Sequence, residues 1–550
     1  MAASPDSLSP RTTWWTWLVP IALCLVVGLQ TVRSDNYFLG DDFGLVQHLH
    51  NLPAQRFLRY FVSDWTEGAY GLVLDELRPV LAFSYWLDAH LFGATNVSGY
   101  HATNLLLHAL NALLVLAIAR SVAPRPPTFA PLAASFFALM PSHAEPIAWI
   151  SGRVDSLAAV FYLGAVLCFM RFRLEERMSW LFGSLLLFAV GLFTKQSVVT
   201  LPALIVAFDW LWFRTPKRRV RLLALVWPYV PFYLLAAAYL ALRHALFGNA
   251  VREDLLSVAT IQQFIVRQVT YARMLLPASG SAWTATSISV GLVTAGVMAV
   301  CAWWAFVRPL KGQQLRQLLF FGPAWYVITI APMVVTYSSA RHLYITAAGL
   351  SIAMASVIVP PDSGGERRWL HTRLAMAGAL LVLYAVASTR NVSTWVDAGR
   401  ESHVYAASIN RSVESLPRGS VVFLRATDRY GEQWFWAWAT PFALQPPFTR
   451  EDLDRKFRII DRPEMYCCPF EQWVAARKEA LAALVMSPSP QQVTYVDFSP
   501  GNAAAHPAIR TVDTQALRQQ IETALGKPID SVFASMTPAD AEQVAGLVLR

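Results

Sequence analysis

The sequence predicts a polytopic α-helical membrane protein with a small C-terminal α/β domain outside the membrane. Three observations predict this fold class: an apolar composition, repeated apolar runs, and a change to soluble composition near Asn391. Of the 550 residues, 55% are hydrophobic, only 15% are charged and 20 are Trp. Soluble domains carry more charge than this. The composition therefore excludes an ordinary soluble globular protein.

Apolar runs recur along the first 390 residues. A helix needs about 20 apolar residues to cross a bilayer, and runs of that order predict about eleven spans. The predicted spans are residues 13–33, 101–120, 128–141, 155–171, 178–194, 197–213, 222–246, 286–307, 316–335, 342–360 and 373–389. The first run is long for the apolar region of a signal peptide, so we expect it to remain as a span.

Lys and Arg collect in alternate loops between these runs. One such loop, "RTPKRRVR", is interpreted as a topology signal and not as a nucleic-acid-binding patch. The intervening loops hold the single basic residues Arg153, Lys195 and Arg341. The positive-inside rule then places the N-terminus in the cytoplasm. The loop after the first span, and the chain after about Thr389, are expected on the exterior side.

Three regions follow the cytoplasmic N-terminus, residues 1–12. The transmembrane domain comprises residues 13–390, and its long first exterior loop, residues 34–100, contains amphipathic segments expected to lie on the membrane surface. Residues 391–550 are predicted to form an extracytoplasmic α/β domain. There "SVVFLRA" and "QVTYVDFS" have strand patterns, and "EQWVAARKEALAALVM" and "TQALRQQIETAL" have helix patterns. The adjacent Cys467 and Cys468 lack a zinc-site spacing.

Ionisable residues at the exterior ends of the spans are the candidate functional residues. Charges near lipid are costly, so they usually face a cavity or a partner. The candidates are Asp41, Asp42, Asp75, Glu76, Arg78, His143, Glu145, Arg153, Asp155, Lys195, Arg341, His342 and Tyr344. Carboxylates can deprotonate a hydroxyl or hold a metal, and Lys and Arg suit a phosphate. This combination indicates group transfer from a lipid-linked donor.

Each candidate also has a structural interpretation. Asp41 and Asp42 would suit a solvated loop or the N-cap of a helix over "FGLVQHL". Glu145 would pair with Arg153 across a turn, and Lys195 would extend to the membrane interface. Structural roles are preferred for several other residues, which are His101, His108, His342, Asp155 and Asp209. What favours a functional role for these ionisable residues is that so many of them are expected on the exterior face of the membrane.

The order of six motifs carries a resemblance to a known superfamily. The motifs are "LGDDF", "RPV…SYWLD", "GYHATNLLLHALNALLV", "PSHAEPIAWISGRVDSLAAVFYL", "FTKQSVVTLPALIVAFDWL" and "SARHLYITAAGL". Together they resemble the GT-C membrane glycosyltransferases, in particular the protein O-mannosyltransferase-like enzymes and those that carry tetratricopeptide repeats. The resemblance covers roughly residues 13–390. No tetratricopeptide period or sugar-binding trefoil follows in the tail, which leaves the acceptor open.

The resemblance implies a GT-C-like bundle that transfers a mannose-like hexose, with inversion, from a polyprenyl-phosphate donor to a hydroxyl. It implies Asp41 or Asp42 as the catalytic base. The implied donor–acceptor cavity contains Asp75, Glu76, Arg78, His143, Glu145, Arg153 and Asp155. The implied lipid-phosphate ligands are Lys195, Arg341, His342 and Tyr344.

The resemblance requires no cofactor, and a divalent cation, Mg²⁺ or Mn²⁺, stays open. Its ligands would be Asp41, Asp42 and Glu145. The expected partners are membrane lipid, the polyprenyl-phosphate sugar and a protein or envelope glycan or lipid acceptor, with no nucleic acid. The composition favours a bacterial inner membrane with a periplasmic active site, and the endoplasmic reticulum membrane is the alternative.

Two other function classes fit the sequence less well. A transporter or lipid flippase would place its charges at the membrane midplane, often with repeat symmetry, whereas here they cluster at one face. A non-catalytic membrane scaffold would leave the acids and cations on that face unexplained.

Overall fold

The computed structural model of the 550-residue chain describes residues 15–69, 74–122, 127–212, 226–250, 261–277, 289, 296, 316–318, 320–333, 337–359, 367–425, 427, 429–436, 439–461, 471–497 and 508–548. Arg125, all of "RTPKRRVR", Cys301, Cys467 and Cys468 therefore lie outside the described residues.

Helices dominate the described chain. Up to residue 250 they are α1 (Trp15–Gly28), α2 (Asp41–Leu49), α3 (Arg56–Arg59), α4 (Pro79–Phe92), α5 (Val97–Val122), α6 (Phe129–Ala138), α7 (Ala144–Ala148), α8 (Arg153–Glu175), α9 (Met178–Leu192), α10 (Leu201–Trp212) and α11 (Val230–Phe247). The later helices are α12 (Ile261–Leu275), α13 (Trp325–Ile330), α14 (Tyr344–Ile358), α15 (Arg367–Glu414), α16 (Thr440–Ala443), α17 (Leu453–Lys456), α18 (Glu471–Val485), α19 (Thr514–Leu525), α20 (Ile529–Ala534) and α21 (Pro538–Val548).

Among the described residues, five helical segments are long and apolar enough to cross a membrane, which supports the prediction of a membrane protein. They are Val97–Val122, Arg153–Glu175, Val230–Phe247, Ala340–Ile358 and His371–Glu414. Shorter apolar helices cover Thr16–Thr31, Phe129–Ala138, Met178–Leu192 and Gln196–Leu211. These segments match nine of the predicted runs, but only five reach membrane-crossing length, so the predicted number of about eleven spans is not confirmed.

Two predicted runs have no matching span. Residues 286–307 lie outside the described residues apart from 289 and 296. The described part of 316–335 is divided into a π-helix (Phe320–Ala324), α13 and a 3₁₀-helix (Ala331–Met333). Pro323 lies inside the π-helix and Pro332 inside the 3₁₀-helix. Proline has no N–H to donate to a continuous α-helical ladder, which explains the division.

The first of two compact units contains the segments up to Thr31, Leu77–Leu81 and His101–Ser393. In it α8 packs along α9, and α14 packs along α6. Helix α8 carries Asp155 in its first turn and Arg173 in its last turn. Both charges have the sign that the helix dipole favours at that end.

The second unit contains Val32–Glu76, Ala82–Tyr100 and the chain from Thr394. Its strands are β1 (Val421–Arg425), β2 (Arg429–Tyr430), β3 (Gln433–Trp434), β4 (Arg458–Asp461), β5 (Gln491–Asp497) and β6 (Ala508–Val512). One sheet has the order β4-β1-β5-β6, and β2 and β3 form a hairpin. In the larger sheet β1 is parallel to both β4 and β5, with Val421 opposite Arg458 and Val493, whereas β5 and β6 are antiparallel.

The core of this sheet is apolar. Phe423 and Tyr495 on neighbouring strands stack with ring centroids 5.5 Å apart, and Leu484 and Ile521 from α18 and α19 are fully buried in the same cluster. Asn391, the predicted start of an exterior domain, lies within the continuous helix α15. The composition changes there, but no proline interrupts α15, so the helix continues through the change.

Candidate active site

Four predicted site residues from distant parts of the sequence come together in the first unit. Lys195 forms an ion pair with Asp155. The Nε atom of Arg341 lies 3.6 Å from Oε1 of Glu145 and 3.9 Å from Oδ2 of Asp155. The side chains of Lys195 and Asp155 are each only 7% exposed. The cluster is therefore a set of acidic and basic side chains that are largely screened from water.

A turn held by Gly152 sets the spacing of the two acids. Glu145 lies in the first turn of α7, and Asp155 in the first turn of α8. A Cβ atom on Gly152 would approach the carbonyl oxygen of Glu145 to 2.6 Å. Only glycine fits at this position without a shift of the backbone.

Replacing Gly152 by alanine should lower the apparent thermal unfolding temperature. Overpacking against the backbone costs about 1–3 kcal/mol, and relief of this contact would move Glu145. Gly378→Ala is the matched control, since a Cβ there meets nothing within 4 Å in α15, and alanine is the better helix former. Thermal unfolding of both variants in detergent checks the prediction. A Gly152→Ala protein as stable as Gly378→Ala would show that the turn can relax.

The Glu145 carboxylate fixes the segment that carries Arg341. Its Oε2 atom accepts hydrogen bonds from Ser339 Oγ at 2.6 Å and from the Arg341 backbone N–H at 3.3 Å. The Arg341 guanidinium also donates to the Tyr337 hydroxyl and lies 5.1 Å from the centre of the Trp149 ring. Glu145 therefore pairs with Arg341. The proposed structural partner, Arg153, is fully buried and donates to Asn104 Oδ1 at 2.7 Å.

A third cation lies beside the cluster. Arg78 donates a hydrogen bond of 3.4 Å to Oε1 of Gln196, the residue that follows Lys195. The Val80 N–H donates to the Phe193 carbonyl, which holds the start of α4 against the same segment. Burial lowers the pKa of the Lys195 ammonium, Asp155 opposes this effect, and the charges of Arg341 and Arg78 lower the pKa further. The cluster thus contains three basic and two acidic side chains, and its formal charge is +1. These side chains are Arg78, Lys195, Arg341, Glu145 and Asp155.

The remaining predicted residues of this unit are buried in aromatic packing. His143 is fully buried, with ring centroids 4.3 Å from Tyr344 and 4.5 Å from Phe137. The Tyr344 hydroxyl lies 2.8 Å from His108 Nδ1. His342 Nδ1 lies 3.3 Å from the Tyr271 hydroxyl. Packing and hydrogen bonding therefore account for His108 and His342, as the structural interpretation expected.

The second unit holds the other four predicted acids. Helix α2 begins at Asp41, after Gly40 with φ of +51°, a conformation that favours glycine. Asp42 is 1% exposed and its Oδ2 atom accepts the Leu39 N–H at 3.0 Å, whereas Asp41 is partly exposed. Both acids lie in the first turn of α2 and the N-cap is Gly40, so neither aspartate is the N-cap that the structural interpretation expected.

Asp75 and Glu76 lie next to an acid that the sequence analysis missed. Asp75 has a left-handed backbone, with φ of +55°. Glu76 Oε2 accepts the Trp65 indole N–H at 3.0 Å, and its N–H donates to Asp64 Oδ1 at 3.3 Å. Burial raises the pKa of Asp64, and the Thr66 hydrogen bond opposes this. No charge pattern in "SDWTEGAY" distinguishes Asp64 from a surface acid.

The acidic and histidine side chains also bear on metal binding. Within the described residues, no group of three or more His, Cys, Asp and Glu side chains is placed to hold a metal ion.

The fold and the cluster define a helical membrane protein with a buried, positively biased polar site. Residues 78–244 match the family model described as dolichyl-phosphate-mannose-protein mannosyltransferase. The predicted resemblance to GT-C membrane glycosyltransferases of the protein O-mannosyltransferase kind is therefore confirmed. The matched segment contains Arg78, Glu145, Asp155 and Lys195.

Curated relatives agree with this family match. The chain is 33% identical to Protein O-mannosyl-transferase Tmtc1 of Drosophila melanogaster over 124 residues, which are 22% of this chain and 14% of the relative. It is 29% identical to human Protein O-mannosyl-transferase TMTC2 over 205 residues, 35% of this chain and 23% of the relative. The aligned part thus spans less than a quarter of either relative.

Among solved structures, ArnT from Cupriavidus metallidurans in the apo state is similar, with a TM-score of 0.48 and 14% identity. That comparison covers 87% of this chain and 92% of ArnT.

Proposed function

We propose that the chain is an integral-membrane glycosyltransferase that moves a mannose-like hexose from a polyprenyl-phosphate donor to a hydroxyl acceptor on the extracytoplasmic side. The observation that carries this proposal is the buried cluster of Arg78, Lys195 and Arg341 with Glu145 and Asp155. An excess positive charge in a site of low exposure favours an anion. A phosphate is the anion that a lipid-linked sugar would bring.

Binding of the lipid phosphate would exchange partners inside the cluster. Some of the guanidinium N–H groups of Arg341 would turn from Glu145 towards the phosphate, since guanidinium groups bind phosphate oxygens in a bidentate way. Lys195 would add a point charge, and Asp155 would keep its ammonium in place. His342 follows Arg341 directly, Tyr344 lies three residues after it, and both would support it from the packed side.

The proposed reaction is a single displacement with inversion. The acceptor oxygen attacks the anomeric carbon, its proton passes to Asp41, and the bond between that carbon and the phosphate oxygen breaks. The polyprenyl phosphate leaves with the electron pair, and the cations stabilise its growing charge. Asp41 is preferred over Asp42 as base because the Asp42 carboxylate is buried and accepts the Leu39 N–H.

The acceptor is proposed to be a protein or an envelope glycan or lipid. Asp75, Glu76, His143 and Arg153 would shape the space around donor and acceptor. The proposed location is a bacterial inner membrane with the site on the periplasmic face.

Purified full-length protein in lipid nanodiscs, fed a panel of polyprenyl-phosphate sugars, tests the proposal. Release of free polyprenyl phosphate would be followed by mass spectrometry, with and without EDTA and with added Mg²⁺ or Mn²⁺. We expect release from a hexose donor that increases with a hydroxyl acceptor. Loss of release in EDTA would assign a divalent cation to the reaction. Movement of intact donor across the bilayer without release would instead support a flippase.

A further inference from the structure

The segment that carries Asp41 contacts residues of the same compact unit that lie almost 400 positions later in the sequence. The Gly40 N–H donates to the Phe435 carbonyl at 2.6 Å. A Cβ atom on Gly40 would lie 3.5 Å from the Cβ atom of Trp434. The backbone immediately before Asp41 therefore lies directly against residues 434–435.

A side-chain relay fixes the same segment from helix α15. The Trp436 indole N–H donates to Ser402 Oγ at 2.9 Å, and the Ser402 hydroxyl donates to the Phe38 carbonyl at 2.7 Å. Phe38 and Ser402 are fully buried, and Trp436 is 1% exposed. A hydroxyl that accepts one hydrogen bond and donates another has a defined orientation. Consecutive bonds of this kind also strengthen one another when they are shielded from water.

Apolar packing holds the other side of Asp41. The Phe43 ring, in the same first turn of α2, lies with its centroid 5.1 Å from that of Trp436 and 4.9 Å from that of Phe448. Trp436 thus acts on both flanks of Asp41, through Ser402 and Phe38 on one side and through Phe43 on the other.

We propose that Trp436 and Ser402 are positioning residues for the Asp41 carboxylate. This inference rests on the proposed role of Asp41 as the base. Neither residue is expected to touch the donor. Their loss should therefore lower kcat and leave the KM for the donor unchanged, because the proposed phosphate ligands are Lys195 and Arg341.

Two variants remove the relay in different ways. Ser402→Ala removes the central hydroxyl, and Trp436→Phe keeps an aromatic ring but removes the N–H. Small misplacements of a reacting group cost up to about 100-fold in rate, so we expect kcat to fall about 10- to 100-fold in each. The double variant should fall little further, because both changes break the same relay.

Ser412→Ala is the matched control. Ser412 is a buried serine on the same helix, and its hydroxyl donates only within that helix, to the Ser408 carbonyl at 2.6 Å. Its kcat and KM should equal those of the wild type. The pH profile of kcat adds a readout that a merely structural role would not move. Its acid limb should shift in Ser402→Ala, because the surroundings of the base change, and should stay in place in Ser412→Ala.

Asp41→Asn separates the two proposals. If Asp41→Asn abolishes turnover while Ser402→Ala and Trp436→Phe match Ser412→Ala, the positioning role is overturned and the proposed base stands. If Asp41→Asn keeps full turnover, the proposed base is wrong. Should Ser402→Ala fail to fold, Trp436→Phe decides: an unchanged kcat and pH profile in that variant overturns the inference.

Discussion

Replacing Asp41 by asparagine is expected to lower turnover about 100- to 10,000-fold, the range that general-base catalysis supplies. Asparagine has nearly the same shape but cannot accept the acceptor proton at neutral pH. Folding and donor binding should be preserved, because the change is isosteric and the proposed phosphate ligands lie elsewhere in the chain. The measurement is the rate of free polyprenyl phosphate release in nanodiscs, with the apparent unfolding temperature measured in parallel.

The neighbouring residues Asp35 and Asp42 provide comparison variants for this test. Asp35 is 46% exposed and pairs with Arg33 and Arg400, so Asp35→Asn should retain near wild-type turnover. Asp42→Asn should lose less than Asp41→Asn, since an amide oxygen can still accept the Leu39 N–H. Equal activity of the Asp41 and Asp42 variants would rule out the assignment of one aspartate as the base.

Replacing Lys195 by methionine should both destabilise the protein and abolish donor binding. Removing one partner of a buried ion pair typically costs about 3–5 kcal/mol, because the remaining charge is left uncompensated. Adding Asp155→Leu to Lys195→Met should recover part of the unfolding temperature, because it removes that remaining charge. It should not recover turnover, because the phosphate would still lack its ammonium partner.

The pair formed by Arg173 and Asp209 provides the control. Arg173 Nε lies 2.9 Å from Asp209 Oδ1, and the Asp209 side chain is only 5% exposed. The Arg173→Met variant should lose stability and retain its turnover per folded molecule. If the Lys195→Met/Asp155→Leu double variant were also as active per folded molecule as wild type, the ion pair would be purely structural.

Local patterns in the sequence predicted much of the helical framework. Of the eleven apolar runs predicted as spans, nine coincide with apolar helices of the structure. The first-turn position of Asp41 and Asp42 agrees with the general preference for acids at helix starts. The run at 316–335 was predicted as a single span, and its described part is a π-helix, α13 and a 3₁₀-helix in succession, since hydropathy does not register the missing N–H groups of Pro323 and Pro332.

The pairing within the site could not be predicted, because it depends on contacts that are distant in sequence. The structural interpretation paired Glu145 with the nearby Arg153, whereas its partners Ser339 and Arg341 lie almost 200 positions away. The resemblance implied Lys195 as a phosphate ligand, but its pairing with Asp155 follows only from the packing of the helices. Trp436 and Ser402 carried no motif that sequence analysis could find.

Direct binding of the lipid phosphate tests the central claim, that the buried cluster is a lipid-phosphate site. Native mass spectrometry would compare retention of a polyprenyl phosphate with retention of the same polyprenol without its phosphate. Wild-type protein is expected to retain the phosphate far better than the alcohol, and Arg341→Gln is expected to lose that preference. Equal retention of the two lipids by the wild type, or a preference unchanged in Arg341→Gln, would contradict the assignment of this cluster.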